Sequence, residues 1–325
     1  MDSTFFTSRA QLEELQNAVE KVKGEIGKII VGQPKMVELM LAAILADGHI
    51  LIEGVPGVAK TLTAKLLSRC IDADFSRLQF TPDLMPSDVL GTSVFNMKTT
   101  EFEFRKGPIF SQLVLIDEIN RAPAKTQSAL FEVMEERQIT IDGSTHIMQS
   151  PFMVIATQNP IEQEGTYRLP EAQLDRFLFK IEVGYPSYED EVQILEAHHQ
   201  RKGEKDIASI TAVLTPEKVS RLRQIVHEIR VEPKLFAYIA AIIQETRRTN
   251  DLFLGASPRA TISLMMAAKA MAAMRGRDFI TPEDVKFVAH PILRHRIVLT
   301  PEKEMEGFAT DEVITKIIDK VEVPR

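Results

Sequence analysis

An apolar segment, His49-Ile50-Leu51-Ile52-Glu53, runs directly into Gly54-Val55-Pro56-Gly57-Val58-Ala59-Lys60-Thr61. A strand leading into a glycine turn that ends in Lys-Thr is the layout of a nucleotide phosphate cradle. Glycines let such a loop turn tightly, so that its backbone N–H groups converge on an anion. Lys60 can reach the β- and γ-phosphates of ATP or GTP, and the Thr61 hydroxyl can ligate Mg²⁺. The helix expected to follow, at about 61–70, adds the positive end of its dipole. One letter departs from the strict pattern, which wants Gly where this chain has Ala59.

A second signal lies about fifty residues further on, where the apolar run Leu113-Val114-Leu115-Ile116 ends in Asp117-Glu118. Uncompensated buried charge is expensive, so paired acids at the end of a buried strand call for a reason. In a parallel sheet ligands sit at the carboxyl ends of the strands, where these acids emerge. Asp117 is then placed to hold Mg²⁺ through water, and Glu118 to orient and deprotonate an attacking water. A third apolar run ends in Ala156-Thr157-Gln158-Asn159, whose final amide can position that water or touch the γ-phosphate. Arg176, in LDRF, is a surface ion-pair former on a monomer, but in a ring it could reach a neighbour's γ-phosphate. Arg259, in GASPRA, opens a helix and is a further candidate γ-phosphate sensor.

Elements must bring these residues together. Leu12, Leu15, Val19, Val22, Ile26 and Ile29 repeat at three- and four-residue steps, which predicts an opening helix. Met36 to Leu45 predicts a second one. Strands are expected at about 49–53, 75–80, 112–117, 151–157 and 177–184, and a helix at about 123–136. TPDLMPSD reads as a polar turn, and hairpins are expected near 93–105 and 137–149. The alternation of strand and helix predicts an α/β fold, a parallel sheet between helices with inserted hairpins. Composition shifts near Tyr185. Helices are expected from there at about 187–202, 215–229, 233–248, 258–274 and 281–290, with no strand read before the terminus. TPE at 215–217 and TPED at 281–284 are helix starts, with a capping Thr, Pro in the first turn and acids behind it. The expected division is an α/β core over 1–186, a linker and connecting helix over 187–214, and a small all-α domain over 215–325.

The 325 residues suffice for about two domains. A hydrophobic fraction of 44%, a charged fraction of 26% and a net charge of −7 describe a globular protein without general affinity for nucleic acid. The N-terminus carries an acid and no apolar core run, so no signal peptide is read, and no apolar stretch is long enough to span a membrane. The lone Cys70 excludes an intramolecular disulfide and fits a reducing cytoplasm. The seven histidines and this cysteine lack metal-site spacing, and His198-His199 falls in a polar run.

Taken together, GVPGVAKT, QFTPDLMPSD, LIDEINRAPAKTQSALFEVMEE, ATQNPIEQEGTYRLPEAQLDRF and GASPRA resemble the MoxR branch of the AAA+ ATPases. The likeness covers nearly the whole chain, and Ala before the cradle lysine is usual in that branch. Arg168 departs from it, standing where Pro is usual. The resemblance implies an ATP-hydrolysing core with Mg²⁺, followed by a helical lid. Lys60 and Thr61 serve the cradle, Asp117 and Glu118 form the Walker B pair, and Asn159 is the first sensor. Arg176 is the finger given to the next subunit, and Arg259 is the second sensor, acting within its own chain or across the interface. Val31-Gly32-Gln33 resembles the segment lying against the adenine. The two hairpins would face the pore of a hexameric homo-oligomeric ring, and hydrolysis would rotate the lid against the sheet domain. Relatives are chaperone-like machines that remodel, mature or activate client proteins, often with a partner carrying a von Willebrand factor A domain. The alternatives left open are a nucleic-acid-stimulated motor, a metal-insertion ATPase subunit of the chelatase type, and a scaffold that binds nucleotide without hydrolysing it.

Overall fold

The computed structural model describes residues 9–160, 166–167, 169–200 and 207–324; Arg168 lies outside the described residues. Two helices open the chain, α1 (Arg9–Gly27) and α2 (Pro34–Leu45). The predicted stripe on α1 is buried, from Leu12 through Ile26. Then follow β1 (His49–Gly54), α3 (Lys60–Cys70), β2 (Phe75–Gln79), α4 (Pro86–Leu90), β3 (Gly91–Asn96), β4 (Glu101–Lys106) and β5 (Leu113–Asp117). The sheet region continues with α5 (Ala124–Glu136), β6 (Gln138–Ile141), β7 (Ser144–Ile147), β8 (Met153–Gln158), α6 (Glu171–Leu174) and β9 (Phe177–Val183).

Among the described residues, a five-stranded sheet runs in the order β2-β5-β8-β1-β9, with every neighbouring pair parallel. Its inner strands are buried on both faces, which is why they read as unbroken apolar runs rather than alternating ones. The pleat then sends alternate residues to opposite sides. Ile50, Ile52, Leu113 and Leu115 join the buried cluster under α1, α2 and α3. Leu51, Val114 and Ile116 join the cluster on the other face, with Leu130 and Phe131 of α5. The two expected hairpins form as β3–β4 and β6–β7. They are tied together, since Ser93 donates to Asp142 and Phe104 stacks on His146 at 4.5 Å.

The remaining elements are α7 (Tyr188–Gln200), α8 (Pro216–Glu228), α9 (Pro233–Arg248), β10 (Leu252–Leu254), α10 (Pro258–Met274), α11 (Pro282–Leu293), β11 (Val298–Leu299), α12 (Pro301–Met305) and α13 (Thr310–Lys320). Both predicted helix starts hold. Thr215 accepts from the Lys218 N–H at 3.3 Å, and Asp284 accepts from the Thr281 N–H at 2.9 Å. Asp284 is fully buried and is charge-matched by Arg275 and Arg277 at 2.9 and 2.6 Å.

Two sequence expectations need correction, and helix forms beyond the segments expected. TPDLMPSD is not all turn: Pro86 opens α4, and the Asp88 carboxylate accepts from the Met85 N–H at 2.9 Å. The C-terminal region is not all-helical, because β10 and β11 pair antiparallel. A ribbon of three and two residues, drawn from segments far apart in sequence, has no local signature. The helix α13 lies beyond the last helix expected from sequence, and Val313, Ile314, Ile317 and Ile318, at helical spacing, are its buried face. The largest buried cluster continues from α1, α2 and the sheet into Leu222, Ile239, Leu264, Met271 and Val288 of α8 to α11. The helical region therefore shares one apolar core with the sheet, and rotating it within one chain would expose that core.

Candidate functional site at the sheet edge

The loop Val55 to Ala59 leaves β1 at the carboxyl edge of the sheet and enters α3. Two glycines shape it for different reasons. At Gly54 a β-carbon would lie 2.5 Å from the Val183 carbonyl, so a side chain would force β9 away. Gly57 has φ +91°, a left-handed conformation that L side chains rarely adopt. Ala59 sits at φ 60° and ψ 19°, also left-handed, which accounts for the glycine of the strict pattern at this position. The chain carries that strain, about 1 kcal/mol, immediately before Lys60.

Lys60 folds back on the loop and donates to the Gly54 carbonyl. Burial pushes its pKa down from the ordinary lysine value, while Asp117, Glu118 and Glu53 oppose the shift. Asp117 ends β5 and is buried. Its Oδ1 accepts from Thr61 Oγ1 at 3.4 Å and from Thr157 Oγ1 at 3.2 Å, and its Oδ2 pairs with Arg77 Nε at 2.6 Å. Glu118 follows in the left-handed region, at φ 57° and ψ 54°. Strained non-glycine residues of this kind concentrate at functional sites. Thr157 Oγ1 anchors the Glu118 backbone N–H at 3.1 Å. The Glu118 carboxylate is engaged by Gln79 Nε2 at 2.7 Å and by Arg121 Nε at 2.9 Å.

Lys60, Thr61, Asp117, Glu118 and Asn159 line one cavity of about 440 Å³, together with Arg77 and Gln79. A hydroxyl and carboxylates beside a phosphate cradle form the oxygen-rich set that Mg²⁺ takes, the rest of its shell coming from water and phosphate. The residues present therefore fit that ion. Reasoning from sequence missed Arg77, Gln79 and Thr157. Arg77 and Gln79 are two apart on β2, hence on one face. Seeing that they meet Asp117 requires knowing that β2 lies beside β5, where Gln79 pairs in register with Asp117.

Val31, Gly32 and Gln33 line a different cavity, also of about 440 Å³, with Ile26, Val37 and Asp190. Gln33 Nε2 donates to the Gly184 carbonyl at 3.5 Å, one residue beyond β9. Since Val183 pairs with Gly54, this segment shares the cradle's edge of the sheet.

Arg176 and Arg259 are not brought to the cradle. Arg176 immediately precedes β9, whose Phe177 pairs with His49 at the start of β1. It stands at the opposite sheet edge, roughly 16 Å from the cradle by strand length. Arg259, in the first turn of α10, meets it there, in a cavity of about 280 Å³ that both residues line. The turn carrying Arg176 is fixed by the buried Arg296, whose Nε pairs with Asp175 at 2.6 Å. Arg296 also donates to the carbonyls of Asp175, Phe177, Leu178 and Ile292. Ser257 adds a 2.9 Å hydrogen bond to the Asp175 carboxylate. Burial pulls the Arg296 guanidinium down from its ordinary pKa, and Asp175 opposes it.

Cys70 is buried at the end of α3, its thiol pushed up to about 12 by burial, so it is a packing residue. No cluster of three or more metal-ligating His, Cys, Asp or Glu side chains occurs among the described residues. No helix among them is long and apolar enough to cross a membrane.

Residues 49–179 match the model of the ATPase family associated with various cellular activities (AAA), and residues 244–317 match the AAA lid domain. YeaC of Bacillus subtilis is 46% identical, the match covering 97% of this chain and 98% of YeaC. Chaperone MoxR1 of Mycobacterium tuberculosis is 44% identical, over 97% of this chain and 84% of MoxR1. A crystal structure from Cytophaga hutchinsonii, 42% identical, superposes with a TM-score of 0.89 over 97% of this chain and 98% of that one. The strand-turn-helix cradle, the acids closing β5 and the helical region behind them thus agree with likeness along the full chain, which belongs to the MoxR family of AAA+ ATPases.

Proposed function

We propose that this ATPase works as a ring of identical chains, a hexamer, that remodels, matures or activates client proteins. The observation carrying this reading is the division of its polar groups between two sheet edges. Lys60, Thr61, Asp117, Glu118 and Asn159 converge on one cavity. Arg176 and Arg259 face another at the opposite edge. A cradle and arginines that cannot meet within one chain can meet between two.

In this reading the backbone N–H groups of Gly57 to Thr61 and the Lys60 ammonium hold the β- and γ-phosphates of ATP. Thr61 and Asp117 would hold Mg²⁺, which supplies charge neutralisation on the phosphates. Glu118 takes the proton of a water attacking the γ-phosphorus while the bond to the β,γ-bridging oxygen breaks, leaving ADP and phosphate. Asn159 orients that water. Arg176 of the adjoining chain meets the charge spread over the γ-phosphoryl oxygens, and Val31 to Gln33 flank the adenine. Because lid and sheet share one core, we take the change on hydrolysis to be chiefly a movement of neighbouring chains against each other.

The hairpins support the client-handling part. Phe95 and Phe102 meet edge to face at 5.3 Å across β3–β4 yet are 49% and 74% exposed, and Ile147 on β7 is 74% exposed. Apolar side chains held out on ordered hairpins suit gripping extended polypeptide. The name of chaperone MoxR1 agrees with such a role. A partner with a von Willebrand factor A domain belongs to the same reading, as does the division into core (1–186), connector (187–214) and lid (215–325).

Lys60→Ala is expected to abolish nucleotide binding, and Glu118→Gln to bind ATP while hydrolysing it at least about 10²-fold more slowly. Filter binding and phosphate release measure the two. Hydrolysis at the wild-type rate by both variants would refute the assignment, and capture of polypeptide on the Glu118→Gln protein with ATP tests the client role.

A further inference from the structure

Glu135, near the end of α5, carries two arginines on one carboxylate. Its Oε1 accepts from Arg259 Nη2 at 2.6 Å, and its Oε2 lies 3.3 Å from Arg176 Nε. The second contact is an ion pair without hydrogen-bond alignment, since Arg176 Nε is buried with no hydrogen-bond partner. Arg176 Nη1 donates instead to the Ala172 carbonyl at 3.2 Å. The other arginines lining this cavity have different acids: Arg137 pairs with Asp47 at 3.2 Å and Arg296 with Asp175 at 2.6 Å. Arg176 and Arg259 therefore face the cavity as two cations sharing one anion.

Two adjacent guanidiniums repel each other, and at this partly exposed site the carboxylate between them offsets that repulsion. One carboxylate between them leaves a surplus positive charge, which suits a polyanion arriving from outside the chain. The turn behind Arg176 is held by Arg296, and Arg259 stands at the start of α10. Glu135 thus joins two rigid supports at the tips of their arginines.

We propose that Glu135 is a positioning residue that holds Arg176 and Arg259 as one two-arginine unit, presented to the nucleotide bound by the neighbouring chain. This rests on the reading that Arg176 acts across the interface. It takes the second of the two alternatives for Arg259, action across the interface, and adds that Glu135 belongs to the neighbour's reaction rather than to that of its own cradle.

The test uses Glu135→Gln, which keeps shape and removes charge, and Glu135→Asp, which keeps charge. Glu135→Gln is expected to lower kcat about 10²-fold, the loss that follows a displacement of about 1 Å, with Kd for ATP at the cradle within about twofold. Glu135→Asp is expected to recover part of the loss. Wild-type kcat in Glu135→Gln overturns the proposal, as does an equal loss of kcat and of ATP binding.

Mixed rings then locate the effect by single-turnover hydrolysis. Glu135→Gln chains keep cradle and Glu118 intact, while Glu118→Gln chains keep the arginine unit intact, so mixing the two is expected to restore hydrolysis. Arg176→Ala and Arg259→Ala, each mixed with Glu118→Gln, are expected to do the same. If the Arg176 mixture stays inactive, the trans reading itself fails. If it is restored and the Glu135 or Arg259 mixture is not, that reading stands and the two-arginine unit is refuted.

Discussion

Arg296→Met removes the member of a buried network on which the turn before β9 depends. The Arg296 side chain is 2% exposed and pairs with Asp175 at 2.6 Å. It also donates to four carbonyls, of which the Phe177 oxygen has a second partner in His295 Nε2 at 3.0 Å. Methionine fills similar volume, so the loss is mainly polar. Stranding one member of a buried ion pair costs about 3–5 kcal/mol. Unfolding entropy of about 2.1 cal/mol/K per residue gives about 0.7 kcal/mol/K for 325 residues. A loss of about 4 kcal/mol then lowers Tm by about 6 °C if the chain unfolds as one unit, as its continuous core suggests. Calorimetry of Arg296→Met, Asp175→Asn and the double variant measures it. The double variant should cost about 1–3 kcal/mol less than the sum of the singles, because it strands no charged partner. Since the freed carbonyls flank Arg176, ATP hydrolysis should fall while ATP binding by the cradle persists. A loss under about 1 kcal/mol, or strict additivity, would refute the account.

Two further outcomes are expected. Ala59→Gly should stabilise the protein by about 0.5–1 kcal/mol, because relief of left-handed strain outweighs the added freedom of the unfolded chain; urea denaturation measures it, and a loss above about 1 kcal/mol would show that the Ala59 methyl packs to advantage. The buried His49 is held neutral, since its Nδ1 accepts from the Val154 N–H at 2.9 Å and its Nε2 faces the Met134 carbonyl at 3.1 Å. Burial takes its pKa from 6.5 down to about 3. Below about 6.5 the unfolded chain takes up a proton that the folded chain refuses, so His49's contribution is complete above that pH and is lost progressively toward pH 3. Between pH 6.5 and 5 the wild type should lose about 1.6 kcal/mol more than His49→Gln. Parallel curves for the two proteins would contradict this protonation state.

Much of the fold was legible because local rules and tertiary demands agree. β5 and β8 are buried on both faces and read as unbroken apolar runs, while α1 carries its buried residues at helical steps. The misses are where context decides. β10 and β11 are too short to show a period, and they exist because the chain brings 252–254 beside 298–299. The cradle, the acids of β5 and Asn159 could be named from residue type and spacing. Arg77, Gln79 and Thr157 could not, since ordinary strand positions become part of a site only through strand order.

Sequence alone determined the chemistry on offer: a loop with N–H groups and a lysine for phosphate, a hydroxyl and an acid for a cation, a second acid for water. Each depends on residues close together in the chain, where backbone geometry follows from residue type. It also marked Ala59 as a departure; the structure gives that letter a physical cost, a left-handed backbone at φ 60°. Tertiary structure decided which groups share a site. Parallel strands put every carboxyl end at one edge and every amino end at the other. Hence Lys60 and Glu118 meet in one cavity, while Arg176 meets Arg259 and Glu135 in another, a strand's length away.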